Sequence, residues 1–116
     1  MEDFVIEKRQ DITIIRVEIP RATLQHAEIF KSLVFNEITS GSRKIVMDIS
    51  KVSFMDSTFL GAIVINLKRV TSIGGDMRLI LCNCEDTIVW SMFQATRMNK
   101  VFRVFNTLED AVQSYL

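Results

Sequence analysis

The chain has 116 residues, the length of one ordinary domain, and 48% of them are hydrophobic, enough to build a core and too many for a disordered segment. Its 14 basic residues balance 14 acidic ones for a formal net charge of zero. That argues against nucleic acid or anionic lipid as the main partner, because both reward a basic surface.

Phe4 and Ile6 alternate with Val5 and Glu7, which predicts a first strand over about residues 3–9. Gln10-Asp11 turns the chain. Residues 12–19 are rich in β-branched side chains and predict a second strand, antiparallel to the first. Pro20 is the only proline and ends it. Thr23 is a candidate N-cap for a helix to about Thr39. Leu24, Ala27, Phe30, Leu33, Val34 and Ile38 supply its apolar face. Ser40-Gly41-Ser42 closes that helix. Residues 44–49 predict strand three. A short loop then leads into a helix from about Ser57 to Ser72, stopped by Gly74-Gly75. Residues 77–83 predict strand four, apolar on both faces and therefore central. Asn83 is a candidate cap for a helix over about 85–96. Residues 101–105 predict a short fifth strand. Thr107 with Asp110 resembles a capping box for a last helix ending near Tyr115.

The expected fold is α/β: one domain over 1–116 in the order β-β-α-β-α-β-α-β-α. It has a mixed, mostly parallel sheet of about five strands and about four helices. Helical crossovers make the strands they join parallel, and the corners of such sheets gather at one edge where sites lie.

No signal peptide is visible at the acidic start Met1-Glu2-Asp3. The longest apolar stretch, Leu60 to Leu67, is too short to span a bilayer. Cys82 and Cys84 stand too far apart in a strand for a relaxed disulfide. Read as reduced thiols, they suit a cytoplasmic protein. His26, the only histidine, is remote from them, so no metal or other cofactor is expected. Gly74-Gly75 lacks the lysine of a phosphate-binding loop and reads as a turn. No nucleophile–base pair can be assembled either, which argues against an enzyme. Trp90 reads as a half-buried packing residue. Asp48 is a loop organiser or a site residue, and the sequence leaves both open.

The stretch Phe54-Met55-Asp56-Ser57-Thr58-Phe59-Leu60-Gly61 carries the chemistry. If a helix starts near Ser57, its first backbone N–H groups lack intrahelical partners, and they stabilise negative charge. A phosphate on Ser57 would be tolerated there, and with Asp56 would make a strongly acidic spot on the surface. The plain alternative is that Asp56 or Ser57 is only the helix cap. Leu60, Ile63, Val64 and Leu67 share the face expected to pack on the sheet. At about 100° per residue, Ala62, Ile65 and Arg69 point the other way, with Phe59 on the flank. Asp56, Ser57, Thr58, Phe59, Ala62, Ile65 and Arg69 are therefore the expected partner-binding surface.

Ile45-Val46-Met47-Asp48-Ile49, then Val52 to Thr58, then Leu60-Gly61 resemble the signature of STAS domains, in particular the bacterial anti-sigma factor antagonists. Ile73 to Leu79, Met98 to Phe102 and Thr107 to Ala111 look like later parts of the same family. The resemblance implies that Ser57 is a phosphorylation site. It further implies a serine kinase that doubles as the anti-sigma factor, bound by the unphosphorylated form, and a PP2C-type phosphatase that resets the switch. The chain departs from the family habit at Phe59 and Arg97, where glycines are usual, and at Pro20-Arg21-Ala22, where an acidic residue is common. Phe59 is expected to crowd an approaching kinase. The resemblance also admits an alternative: an accessory subunit that binds the ATPase of a lipid-transport ABC system.

Overall fold

A computed structural model describes residues 2–81 and 87–116. The chain runs β1 (Phe4–Arg9), β2 (Ile12–Val17), β3 (Arg21–Ala22), α1 (Leu24–Thr39), β4 (Lys44–Asp48) and β5 (Phe54–Met55). It continues through α2 (Ser57–Thr71), β6 (Asp76–Ile80), α3 (Ile88–Ala95), α4 (Met98–Val101), β7 (Val104–Phe105) and α5 (Leu108–Gln113). The main sheet has five strands in the order β1-β2-β4-β6-β7. β1 and β2 form the antiparallel hairpin, and the remaining pairings are parallel. The expected mixed α/β sheet is therefore present.

Alternation along the strands separates two apolar layers. Ile15, Val17, Ile45 and Met47 join the large core with Phe30, Val34, Ile63, Leu67, Val89 and Phe93 of α1, α2 and α3. Ile12, Ile14, Val46 and Ile80 point to the other face, where Ala111 of α5 covers them. Both faces of β2 and β4 are thus dry, which explains their continuous runs of apolar residues.

Several expectations change. A second, two-stranded parallel sheet pairs β3 with β5, and no periodicity in so short a pair of segments announces it. β6 is interior but second from the edge; β4 holds the middle place. The expected strand over 101–105 shrinks to Val104–Phe105, because Arg97 turns left-handed (φ 61°) and residues Met98–Val101 wind into a helical turn. The third helix starts at Ile88, capped by the Thr87 hydroxyl accepting from the Trp90 N–H at 3.2 Å. Asn83, Cys82 and Cys84 lie outside the described residues. Leu24 is 67% exposed, because it opens α1 at the domain surface. Thr107 does cap α5, accepting from the Asp110 N–H at 3.1 Å.

Gly75 is required by a close approach. A Cβ there would stand 2.4 Å from the Arg43 carbonyl oxygen and 2.6 Å from Val70 Cγ2. The turn it closes joins Asp76 N–H to that same Arg43 oxygen at 2.8 Å and so sets the register of β6 on β4. Among the described residues no helix is long and apolar enough to cross a membrane.

Candidate functional site

The loop that carries Asp56 and Ser57 is held from below by the small sheet. The N–H groups of Ser53 and Phe54 both donate to the Pro20 carbonyl, and the Asp56 N–H donates to the Ala22 carbonyl at 3.1 Å. Asp56 then caps α2: its Oδ1 accepts from the Phe59 N–H at 2.9 Å. Its other oxygen, Oδ2, accepts from the Leu24 N–H at 2.8 Å. One carboxylate thus satisfies the exposed starts of two helices. Thr23, the residue placed to cap α1, makes no side-chain capping bond; the side-chain acceptor at this helix start is Asp56, on the first N–H. The acidic spot expected of Asp56 with a phosphate on Ser57 thus has one member held in place: both Asp56 oxygens accept from backbone, and the side chain is half-buried.

Ser57 occupies the first position of α2 and is exposed. Its hydroxyl makes no hydrogen bond among the described residues. With Asp56 satisfying the third helical N–H, those of Ser57 and Thr58 have no intrahelical acceptor. α2 carries no acidic residue in its first turn, while Lys68 and Arg69 sit in its last turn. The helix dipole therefore favours negative charge at this start, where the Asp56 carboxylate already sits and two N–H groups remain open.

The outward face of α2 is narrower than its sequence suggests. Phe59 is 0% exposed, with its ring centroid 4.5 Å from Phe30 and 6.5 Å from Phe4. Ala62 is buried too. Beside it Asn66 reaches across the seam, donating through Nδ2 to the Ala62 and Lys31 carbonyls at 3.1 and 3.3 Å. Both Phe59 and Ala62 are thus removed from the expected partner surface. The reason is that α2 packs on the sheet and on α1 together, so its buried arc exceeds one face. Phe59 fills the corner between them and does not project toward an approaching molecule. Arg69 is half-buried, its guanidinium 4.2 Å over the Phe35 ring. Ser57, Thr58, Gly61, Ile65 and Lys68 remain outward.

A groove of about 380 Å³ runs along this outward arc, between α2 and the α3–α4 junction. Ser57 lies at its head and Lys68 three turns along. Leu60, Val64, Ile65 and Met98 give it an apolar wall, and Thr96 lines the far side. A smaller groove of about 160 Å³ lies between α2 and α1, where Glu28, Lys31 and Thr58 take part in the lining. Gly61 and Ile65 border both. The groove residues Gly61, Lys68, Thr96 and Met98 escaped the sequence reading. The available signal was Gly61 at four residues from Ser57, which stacks it directly beside the serine on a helix.

Other candidates have structural roles. Asp48 organises the loop after β4, its Oδ1 accepting from both N–H and hydroxyl of Ser50 at 2.9 and 2.6 Å. Trp90 is half-buried against the large core. His26 is half-buried, and its Nδ1 has no hydrogen-bond partner among the described residues.

The STAS domain family model matches residues 3–111. The chain belongs to the STAS domain family. It is 33% identical over 91 residues, 78% of each chain, to a Thermotoga neapolitana protein named "Putative anti-sigma factor antagonist TM1081 homolog". A crystal structure of the Thermotoga maritima protein of that name superposes with a TM-score of 0.79 at 25% identity, covering 96% of this chain and 92% of that one. The phosphorylated form of the Bacillus cell fate determinant SpoIIAA has the same fold, with a TM-score of 0.74 at 19% identity over 97% of this chain and 99% of the other. The hairpin, the crossover helices and the Asp56–Ser57 corner of this chain are thus parts of a STAS fold.

Proposed function

We propose that the protein is a phosphorylatable binding switch of the anti-sigma factor antagonist type, with Ser57 as the modified residue. The observation that carries this is the corner itself: an exposed serine hydroxyl, unbonded among the described residues, on a helix start with two open N–H groups that Asp56 ties to α1. The unphosphorylated form binds a serine kinase that is also the anti-sigma factor. Phosphorylation releases it, and a PP2C-type phosphatase restores the hydroxyl. The partner surface is Ser57, Thr58 and Ile65 with the groove beside them. Phe59 and Ala62 support it from inside, Asp56 fixes its angle, and Arg69 borders it. The protein itself acts by binding and not by catalysis. The names of the Thermotoga relatives and the existence of a phosphorylated SpoIIAA support this reading.

The magnitude suits a switch. A phosphate adds roughly −1.5 to −2 charge, and burying an uncompensated ion in an interface costs several kcal/mol. Since each 1.4 kcal/mol is about tenfold in affinity, a hundredfold loss needs no movement of the backbone. The test is capture from native cells with three baits: wild type, Ser57→Ala and Ser57→Asp. A serine kinase held by the alanine form and lost by the aspartate form is the expected result. An ABC ATPase held equally by all three would overturn the proposal.

A further inference from the structure

With Ser57 read as the switch, the groove it heads is where a partner would lie. Two features of the groove are informative. The first is Gly61, which sits one turn beyond Ser57 in the middle of a regular helix, where glycine is less favourable than alanine. The fold does not require it. Its φ is not in the left-handed region, and a Cβ added there would meet nothing within 4 Å. What the missing side chain does is leave open ground beside the Ser57 hydroxyl, as suits a site where another chain must approach closely.

The second feature is charge. Lys68 lines the groove, and Arg97 stands between the lining residues Thr96 and Met98. Lys100 follows on the exposed side of α4. Among the described residues, no acidic side chain lines it. The groove on the other flank of α2 differs: there Glu28 and Lys31 pair at 3.0 Å and cancel. In a chain of zero net charge, the one charged side chain among the lining residues is the Lys68 cation.

We propose that the groove from Ser57 to Lys68 docks an acidic amphipathic helical segment of the partner. Its apolar side chains lie on Leu60, Val64 and Met98, its backbone crosses at Gly61, and its carboxylates face Lys68 and Arg97. This chemistry makes the phosphate effective. A dianion on Ser57 would stand at the head of a groove whose occupant is itself negative, so repulsion adds to desolvation.

The test uses two synthetic helical peptides with the same apolar residues, one carrying glutamates on its polar face and the other lysines. Each is titrated into the ¹⁵N-labelled full chain by NMR. The acidic peptide is expected to shift Gly61, Lys68 and Met98, to bind more weakly as salt rises, and to lose about tenfold or more affinity to Lys68→Glu. Gly61→Leu, which fills the crossing point while leaving the circular dichroism spectrum unchanged, should abolish the shifts. Lys68→Glu should in turn favour the lysine peptide. Equal binding of the two peptides, shifts outside the groove, or no groove shifts at millimolar peptide would each overturn the proposal. No kinase or phosphate enters this assay, so its failure is distinguishable from failure of the Ser57 switch, which the three-bait capture reads separately.

Discussion

Replacing Asp56 with alanine removes two bonds at once, and their cost can be worked from the structure. The bond from the Phe59 N–H, at 2.9 Å and partly buried, is an N-cap, worth roughly 0.5–2 kcal/mol. The bond from the Leu24 N–H, at 2.8 Å, is exposed, so water replaces much of it. A bond to a charged acceptor is worth about 1.5–3 kcal/mol in general, and the exposed one belongs at the low end. Asp56→Ala should therefore lose about 2–3 kcal/mol. For a domain of this length that lowers the melting temperature by roughly 8–12 °C, readable by circular dichroism. Two neighbours serve as controls. Ser57→Ala removes a hydroxyl that bonds nothing among the described residues. Thr23→Ala removes a capping residue that does not cap. Both should stay within about 0.5 kcal/mol of wild type. A loss below about 0.5 kcal/mol for Asp56→Ala, or an equal loss for Thr23→Ala, would refute the claim that one carboxylate anchors both helices.

Phe59→Ala empties the aromatic corner with Phe4 and Phe30 and should cost about 3–5 kcal/mol in urea unfolding; a surface side chain would cost almost nothing. Gly61 within α2 and Gly75 in the turn after it should respond with opposite sign. Gly75→Ala forces a methyl against the Arg43 carbonyl and should destabilise by about 1–3 kcal/mol, whereas Gly61→Ala should stabilise by roughly 0.5–1 kcal/mol. Tyr115, the only tyrosine, donates to the Ile45 and Asp76 carbonyls at 2.8 and 2.9 Å. Burial, then the neighbouring Asp76 charge, raises its phenol above the ordinary value. Tyrosinate absorbance should therefore stay absent through about pH 10, where an exposed phenol ionises. With the folded pKa raised, the neutral phenol contributes its stability in full below the unfolded pKa and loses it as pH climbs toward the folded one. Ionisation of the folded protein near pH 10 would contradict that placement.

The parts of the fold legible in the sequence were those with a strong period. The β-branched run from Ile12, the apolar run from Lys44 and the helix bounded by Asp56 and Gly74 all formed within a residue or two of expectation. Short elements were not legible. β3 and β5 have two residues each, too few for any alternation, and exist because Pro20 and Ala22 offer carbonyls to the loop before Asp56. The faces of α2 were half legible. A single apolar stripe predicts one packing partner, but α2 has two, so Phe59 and Ala62 turned inward against α1. The sequence left the cap of α2 open between Asp56 and Ser57, and the structure gives it to Asp56. That it also serves α1 depends on a contact 32 residues away in the chain, which no local pattern encodes.

That long-range bond bears on how a modification at Ser57 would act. The serine and aspartate are adjacent, yet the fold gives them separate work. Asp56 faces inward and accepts from two backbone N–H groups; Ser57 faces outward and its hydroxyl bonds nothing among the described residues. A phosphate on Ser57 would add charge beside a carboxylate held in place by two backbone N–H groups and near N–H groups of Ser57 and Thr58 that want an acceptor. The domain can thus accept the charge without yielding its packing, and the cost is shifted to whatever approaches the groove. Were Asp56 free to swing, repulsion from the same phosphate could displace it; bonded to the starts of both helices, it stays where the fold puts it. Tying down the acid is what lets the neighbouring serine carry a signal that is read at the surface alone.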